Sequence, residues 1–321
     1  MRKHKLLNRI GGCAVVLGLF LLAACSGAAE EPRTEQGVKT AIPGGPSRAP
    51  VSPMVSTSAT PASPTPMPPT IADADWAPWF EGLTGAAVVY SPAQNHYDIY
   101  NRDLAQTRRS PCSTFKIVSS LVAMESGQLR PEESTRAWSG EQFWNEEWNR
   151  DLDFDEAFRT SCVWYFRQLI DEIGPERMET ALVELEYGNA DISDWEGRLN
   201  TNNQNRALTG FWIESSLRIS PQEQVAVLAR IFEPGSAYDG ENLATLRRVM
   251  RGWEQGNMVV YGKTGMGKAE GVTVDAWYAG FAEKDGERRY FCVYLGETKG
   301  AEVSSTKARE IAHRILAAED N

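Results

Sequence analysis

The stretch Ser113-Thr114-Phe115-Lys116-Ile117-Val118-Ser119-Ser120-Leu121-Val122-Ala123-Met124 sets a serine and a lysine three residues apart at the head of an apolar run. Phe115, Ile117, Val118, Leu121 and Val122 recur at helical spacing, and Gly127 follows as a stop. Residues 113–124 are therefore predicted to form a buried helix. Positions i and i+3 share a helix face, so the Lys116 amine can reach the Ser113 hydroxyl. Unpaired N–H groups at the helix start point at any oxyanion formed on a carbonyl that Ser113 attacks. Nucleophile, base and part of an oxyanion hole thus arise together. The S-x-x-K pattern is weak by itself, because an N-cap serine beside a solvated lysine produces it as well. In this chain Lys116 lies among Phe115, Ile117 and Val118, and a desolvated amine is what such chemistry needs.

Two further motifs follow in order. Ser161-Cys162-Val163 opens a second predicted helix, residues 161–173, which Gly174-Pro175 ends. Lys263-Thr264-Gly265 closes a predicted strand, residues 258–263, before a turn and another strand. A strand-borne K-T-G can line a cleft, its Lys and Thr binding a carboxylate and its Gly letting a ligand pass close to the backbone. Strands are also read at residues 86–90 and 96–100, joined as a hairpin through turn formers, and at 276–281 and 290–295. Helices are read at 221–232, opened by Ser220 and Pro221, and at 306–318. Strands at both ends of the chain with helices between them predict an α+β fold: an antiparallel sheet assembled from both termini, with a helical insertion.

The chain has 321 residues, 42% hydrophobic and 24% charged, with ten Trp, which is enough for a sizeable core. A net charge of −10, with no basic block after residue 5, argues against a nucleic-acid partner. Met1-Arg2-Lys3-His4-Lys5 and the apolar residues 10–24 read as a signal peptide over 1–24. Leu22-Ala23-Ala24-Cys25 resembles a bacterial lipobox, which would make Cys25 a lipidated N-terminus and place the protein at the outer face of the cytoplasmic membrane. Residues 25–70, rich in Pro, Ser and Thr, read as a tether, and 71–321 as the folded catalytic domain. Beyond the leader and the lipobox, Cys112, Cys162 and Cys292 remain, an odd set without zinc-site spacing. Cys112 and Cys162 each adjoin a motif serine, so a bridge between them is open. Side chains of successive residues near a helix start diverge by about 100°, which favours two reduced thiols.

The three motifs, together with Tyr187-Gly188-Asn189 and Phe211-Trp212-Ile213-Glu214-Ser215-Ser216-Leu217-Arg218-Ile219-Ser220, resemble the class D β-lactamases, or oxacillinases, in a lipoprotein form of the Gram-positive type. The resemblance implies a β-lactamase/transpeptidase-like fold and hydrolysis of β-lactams, penicillins first, with cephalosporins and carbapenems open. It implies Ser113 as nucleophile, Lys116 carboxylated by CO2 as general base, and Ser161 as proton relay. Lys263 and Thr264 are implied to bind the substrate carboxylate, with Gly265 beside them. The backbone N–H groups of Ser113 and Met266 are implied as the oxyanion hole, Trp212 as a support for the carbamate, and Val163 and Ile213 as an apolar gate. No cofactor beyond CO2 or bicarbonate and no metal is implied. Carboxylation makes chemical sense, since only a neutral amine reacts with CO2 and burial is what lowers a lysine pKa.

Residues 298–304 lack the arginine that many of the family use for the substrate carboxylate, leaving Lys299, or Lys263 and Thr264 alone. Glu196-Gly197-Arg198-Leu199-Asn200 imitates the water-activating glutamate motif of class A enzymes, but Ser161-Cys162-Val163 lacks the class A asparagine, so it reads as loop. Two rivals remain. A non-hydrolysing β-lactam sensor shares these motifs but is expected with transmembrane helices and a protease domain, and a D,D-peptidase is expected with S-x-N as its middle motif.

Overall fold

The computed structural model describes residues 67–198 and 205–318. The expected signal peptide at 1–24, Cys25 and the tether up to residue 66 lie outside them. In chain order the elements are β1 (Thr70–Asp73), α1 (Ala77–Phe80), β2 (Gly85–Ser91), β3 (His96–Tyr100), α2 (Arg102–Ala105), α3 (Lys116–Glu125), α4 (Phe154–Arg159), α5 (Val163–Ile173) and α6 (Pro175–Glu184). Then come α7 (Pro221–Phe232), α8 (Gly240–Met250), β4 (Arg251–Gln255), β5 (Met258–Ala269), β6 (Val272–Lys284), β7 (Glu287–Gly296) and α9 (Ser305–Ala318).

The strands form one sheet in the order β1-β3-β2-β7-β6-β5-β4. The N-terminal hairpin joins the C-terminal strands through β2 and β7, with Val88 opposite Cys292. The expectation of an antiparallel sheet needs one correction. β1 runs parallel to β3, Thr70 opposite His96, because the chain reverses once through α1 and again in the β2–β3 hairpin.

Side chains alternate across a strand, and both faces of this sheet are covered. Ala86 and Val88 of β2 and Tyr290, Cys292 and Tyr294 of β7 join the core beneath the helical body. Ala87, Val89, Phe291, Val293 and Leu295 join a second core beneath α9. On β5, Tyr261 belongs to the helical side, so Lys263 and Gly265, two and four residues on, face the same way.

Three predicted boundaries shift at the motifs. Ser113 lies in a 3-10 turn, Cys112–Phe115, and α3 proper begins at Lys116. Ser161 stands before α5, which begins at Val163. β5 continues to Ala269, so Lys263-Thr264-Gly265 sits inside a strand and not at its end.

Candidate active site

The Ser113 turn is fixed from several sides. Cys112 has a left-handed backbone (φ 50°), and its N–H donates to the Trp212 carbonyl at 2.9 Å. Thr114 Oγ1 donates to the Pro111 carbonyl at 2.7 Å and accepts from Gln224 Nε2 at 2.9 Å. In this frame Lys116 Nζ lies 2.8 Å from Ser113 Oγ. Lys116 is 1% exposed, and Nζ sits over the Phe166 ring at 5.1 Å from its centroid. Burial pulls its pKa down to about 8, against the opposing influence of the Cys162 and Cys112 thiols. A neutral, nucleophilic amine is therefore accessible close to physiological pH.

Ser161 stands where α4 gives way to α5. Its N–H donates to the Phe158 carbonyl at 3.2 Å, and that of Cys162 to the Ala157 carbonyl at 2.9 Å. These bonds close α4 with Ser161 in the left-handed region (φ 59°). Its Oγ accepts from Lys263 Nζ at 3.0 Å. Burial, and then the Lys116 charge, push the Lys263 amine well below its ordinary range.

β5 lies directly against the serine turn. A Cβ on Gly265 would stand 2.9 Å from the Pro111 carbonyl oxygen and 3.1 Å from Thr114 Cγ2, so no larger residue fits without moving the strand. Ser113 opens into a cleft of ≈ 530 Å³ whose walls include Val163, Ile213, Met266, Trp144 and Trp148. Trp212 does not line that cleft. Its buried ring packs behind the turn on Phe115 (6.2 Å between centroids) and Phe211 (5.2 Å), with the Arg167 guanidinium over it at 5.4 Å. The Tyr187-Gly188-Asn189 segment locks onto the same stretch: Asn189 Oδ1 accepts from the Arg218 N–H at 2.8 Å, and the Tyr187 ring meets Phe115 edge-on.

Lys263 and Thr264 line a second recess of ≈ 470 Å³ along the same strand, together with Arg251, Arg309 and His313. Lys299 lies with Glu297 and Glu302 in a recess that shares Lys268 and Gly271 with the Ser113 cleft. Arg309 was not singled out in the sequence, since it is one of several polar residues of α9 and only packing brings it beside Lys263 and Thr264. Trp144, 76% exposed at the cleft mouth, and Glu214, inside the Phe211–Ser220 segment, were also not singled out. Glu196 is exposed, and its carbonyl merely accepts from Thr209 Oγ1 at 2.7 Å. Cys112, Cys162 and Cys292 are free and buried, so no bridge joins the two motif cysteines. Burial pushes the Cys162 thiol up to about 12, which makes it inert.

Residues 84–317 match the penicillin binding protein transpeptidase domain. The chain is 32% identical over 244 residues to the regulatory protein BlaR1 of Bacillus licheniformis, a match that takes in 75% of this chain and 38% of that protein. It thus spans about two fifths of that relative's length. It is also 32% identical to the probable β-lactamase YbxI of Bacillus subtilis, covering 74% of this chain and 81% of YbxI. Among solved structures, the C-terminal domain of the Bacillus licheniformis BlaR penicillin-receptor superposes with a TM-score of 0.68 at 30% identity, covering 78% of this chain and 97% of that domain. A class D β-lactamase from Bacillus subtilis superposes at 0.65 with 29% identity, covering 76% and 95%. The motif serines and lysines, the mixed sheet between two helical layers and these matches agree: the chain belongs to the penicillin-binding protein transpeptidase family, with class D β-lactamases and BlaR-type receptor domains among its relatives.

Proposed function

We propose that the protein is a class D serine β-lactamase, and the observation that carries this reading is the buried Lys116 amine 2.8 Å from Ser113 Oγ with burial lowering its pKa to about 8. The site fits carboxylation, because an amine so placed is uncharged in a useful fraction of molecules and CO2 adds only to that form. Carboxylated, Lys116 supplies an anionic general base. Ser113 Oγ attacks the lactam carbonyl, the C–N bond breaks, and Ser161, held by Lys263, passes a proton to the departing nitrogen. The oxyanion is met by the N–H groups of Ser113 and Met266. Water then cleaves the ester and returns the proton to Ser113. Val163 and Ile213 restrict which water reaches Lys116. Arg309, with Lys263 and Thr264, takes the substrate carboxylate that residues 298–304 have no arginine to hold. The leader and lipobox read in the sequence support a location outside the cytoplasmic membrane, on a lipid anchor at Cys25.

The similarity to a penicillin-receptor domain supports a second reading, a binder that retains the acyl group. Nitrocefin hydrolysis with and without bicarbonate, beside intact-mass detection of the acylated protein, separates the two. Multiple turnovers that rise with bicarbonate and vanish in Ser113→Ala are expected. One persistent acyl group per chain, without turnover, would make the protein a receptor-like binder. Cleavage of D-alanyl-D-alanine peptides that β-lactam acylation of Ser113 blocks would make it a D,D-peptidase.

A further inference from the structure

Glu214 and Asp275 form a buried carboxyl pair outside the roles assigned above. Glu214 follows the gate residue Ile213 with a left-handed backbone (φ 47°), held there by its N–H donating to Ser110 Oγ at 2.8 Å. Its side chain reaches between the two segments that carry the oxyanion donors. On one side Cys112 Sγ, in the residue before Ser113, lies 3.3 Å from Glu214 Oε1. On the other, Oε1 fills the space above Gly267, the residue after Met266, where a Cβ would come within 1.6 Å of it. Asp275 is the cross-strand partner of Gly267, 3% exposed, and accepts from Tyr294 Oη at 2.7 Å. Glu214 above Gly267 and Asp275 opposite Gly267 across the strand pair thus bring two buried carboxyls together, an arrangement that favours one proton held between them.

The groups facing the pair set that proton's place. Burial, and then the Asp275 charge, raise Glu214 to about 7. Burial raises Asp275 as well, against the opposing influence of Tyr294, Arg109 and Arg218. Both carboxyls are raised, so the pair keeps one proton where two separate carboxyls would keep none. Arg109 and Arg218 act through space, Cys112 is an uncharged thiol raised by burial, and Lys268 lines the exposed side of the cleft.

We propose that Glu214 is a positioning residue of the oxyanion pocket: joined to Asp275 by one shared proton, it clamps the Cys112–Ser113 turn to Met266–Gly267 and keeps a second negative charge away from the developing oxyanion. Loss of that proton sets two carboxylates against each other behind the pocket. The clamp opens, and the field at the oxyanion becomes repulsive. This rests on the acyl-transfer reading above. It bends the pH profile opposite to Lys116, whose neutral form grows as pH rises.

Stopped-flow acylation by nitrocefin is measured from pH 5.5 to 9 at saturating bicarbonate for wild type, Glu214→Gln and Asp275→Asn. Wild-type acylation is expected to fall about tenfold per pH unit above the midpoint near 7. Glu214→Gln is expected to lose this alkaline limb. Asp275→Asn, with no neighbouring charge to hold the proton on Glu214, is expected to move it to lower pH. An acylating wild type that is flat to pH 9, or a limb unchanged in Glu214→Gln, overturns the proposal. Infrared difference spectra of wild type against Glu214→Gln read the proton directly. A protonated-carboxyl band present at pH 6 and gone at pH 9 supports the pair, and its absence at pH 6 overturns it. A protein with that band but no acylation at any pH retains the shared proton and loses both the oxyanion role and the acyl-transfer reading.

Discussion

At the scale of single residues, the Ser113–Lys116 pair was legible from spacing alone, because one helical turn separates them and the flanking residues announce burial. Glu214 and Arg309 were not. Their partners arrive from β6 and β5, and no local period encodes a contact between strands far apart in sequence. Lys116 makes a stability prediction whose sign is fixed by burial. Folding lowers its pKa from the ordinary 10.5 to about 8, so between those values the unfolded chain holds the proton that the folded one has shed. Stability then rises with pH across that window and is level above it. In CO2-free buffer, the gain between pH 8 and 10.5 should be on the order of 3 kcal/mol for this residue. Urea unfolding of wild type against Lys116→Met isolates it, and equal slopes in the two proteins would show that Lys116 is not the titrating group. For Arg309, removal of one charged hydrogen bond to a substrate carboxylate should raise KM about tenfold and leave kcat nearly unchanged in Arg309→Ala. An unaltered KM would leave the carboxylate to Lys263 and Thr264.

At the scale of elements, legibility followed the strength of the terminal signal. α7 was readable because Ser220 and Pro221 spell a helix start, and the structure adds Glu223 as the other half of a capping box, paired to Arg108. Ser220→Ala should therefore lower unfolding free energy by about 1 kcal/mol while β-lactam acylation is unaffected. A loss below a few tenths of a kcal/mol would mean that the proline and the ion pair carry the helix start by themselves. α6 was missed because Gly174-Pro175 reads as a full stop, whereas Pro175 is the first residue of the next helix, where its missing N–H does no harm. β4, Arg251–Gln255, has no apolar alternation and is mostly exposed, so only its pairing with β5 makes it a strand. The Ser113 and Ser161 positions show the same limit. Ser113 occupies a 3-10 turn and Ser161 a tight turn, each just ahead of an α-helix, and periodicity extends the helix over them.

At the scale of the whole molecule, the sheet depends on contacts between the chain's two ends, and its outer face depends on α9. Ala308, Ile311, Ala312, Ile315 and Leu316 are buried against that face. Ile311→Ala should destabilise by 2–5 kcal/mol, the usual loss for a large side chain removed from a packed core. Denaturant unfolding would show it as a lower midpoint at an unchanged slope. A changed slope would indicate that α9 detaches before the sheet unfolds. The two-ended sheet itself was legible, because hydrophobic strand patterns flank a helical middle. The parallel β1 was not, because four residues at a sheet edge carry no directional signal.

β4 covers β5 only as far as Tyr261, and among the described residues no strand pairs the far side of β5 from Gly262 to Ala269. Such a free edge invites another chain to add a strand. In this molecule the Ser113 turn packs over Gly265 and Glu214 over Gly267, on the sheet face beside that edge. The residues proposed to open a substrate thus also pack beside an unpaired strand edge. Variants that loosen that packing should reveal themselves first as aggregation on storage, before any fall in melting temperature.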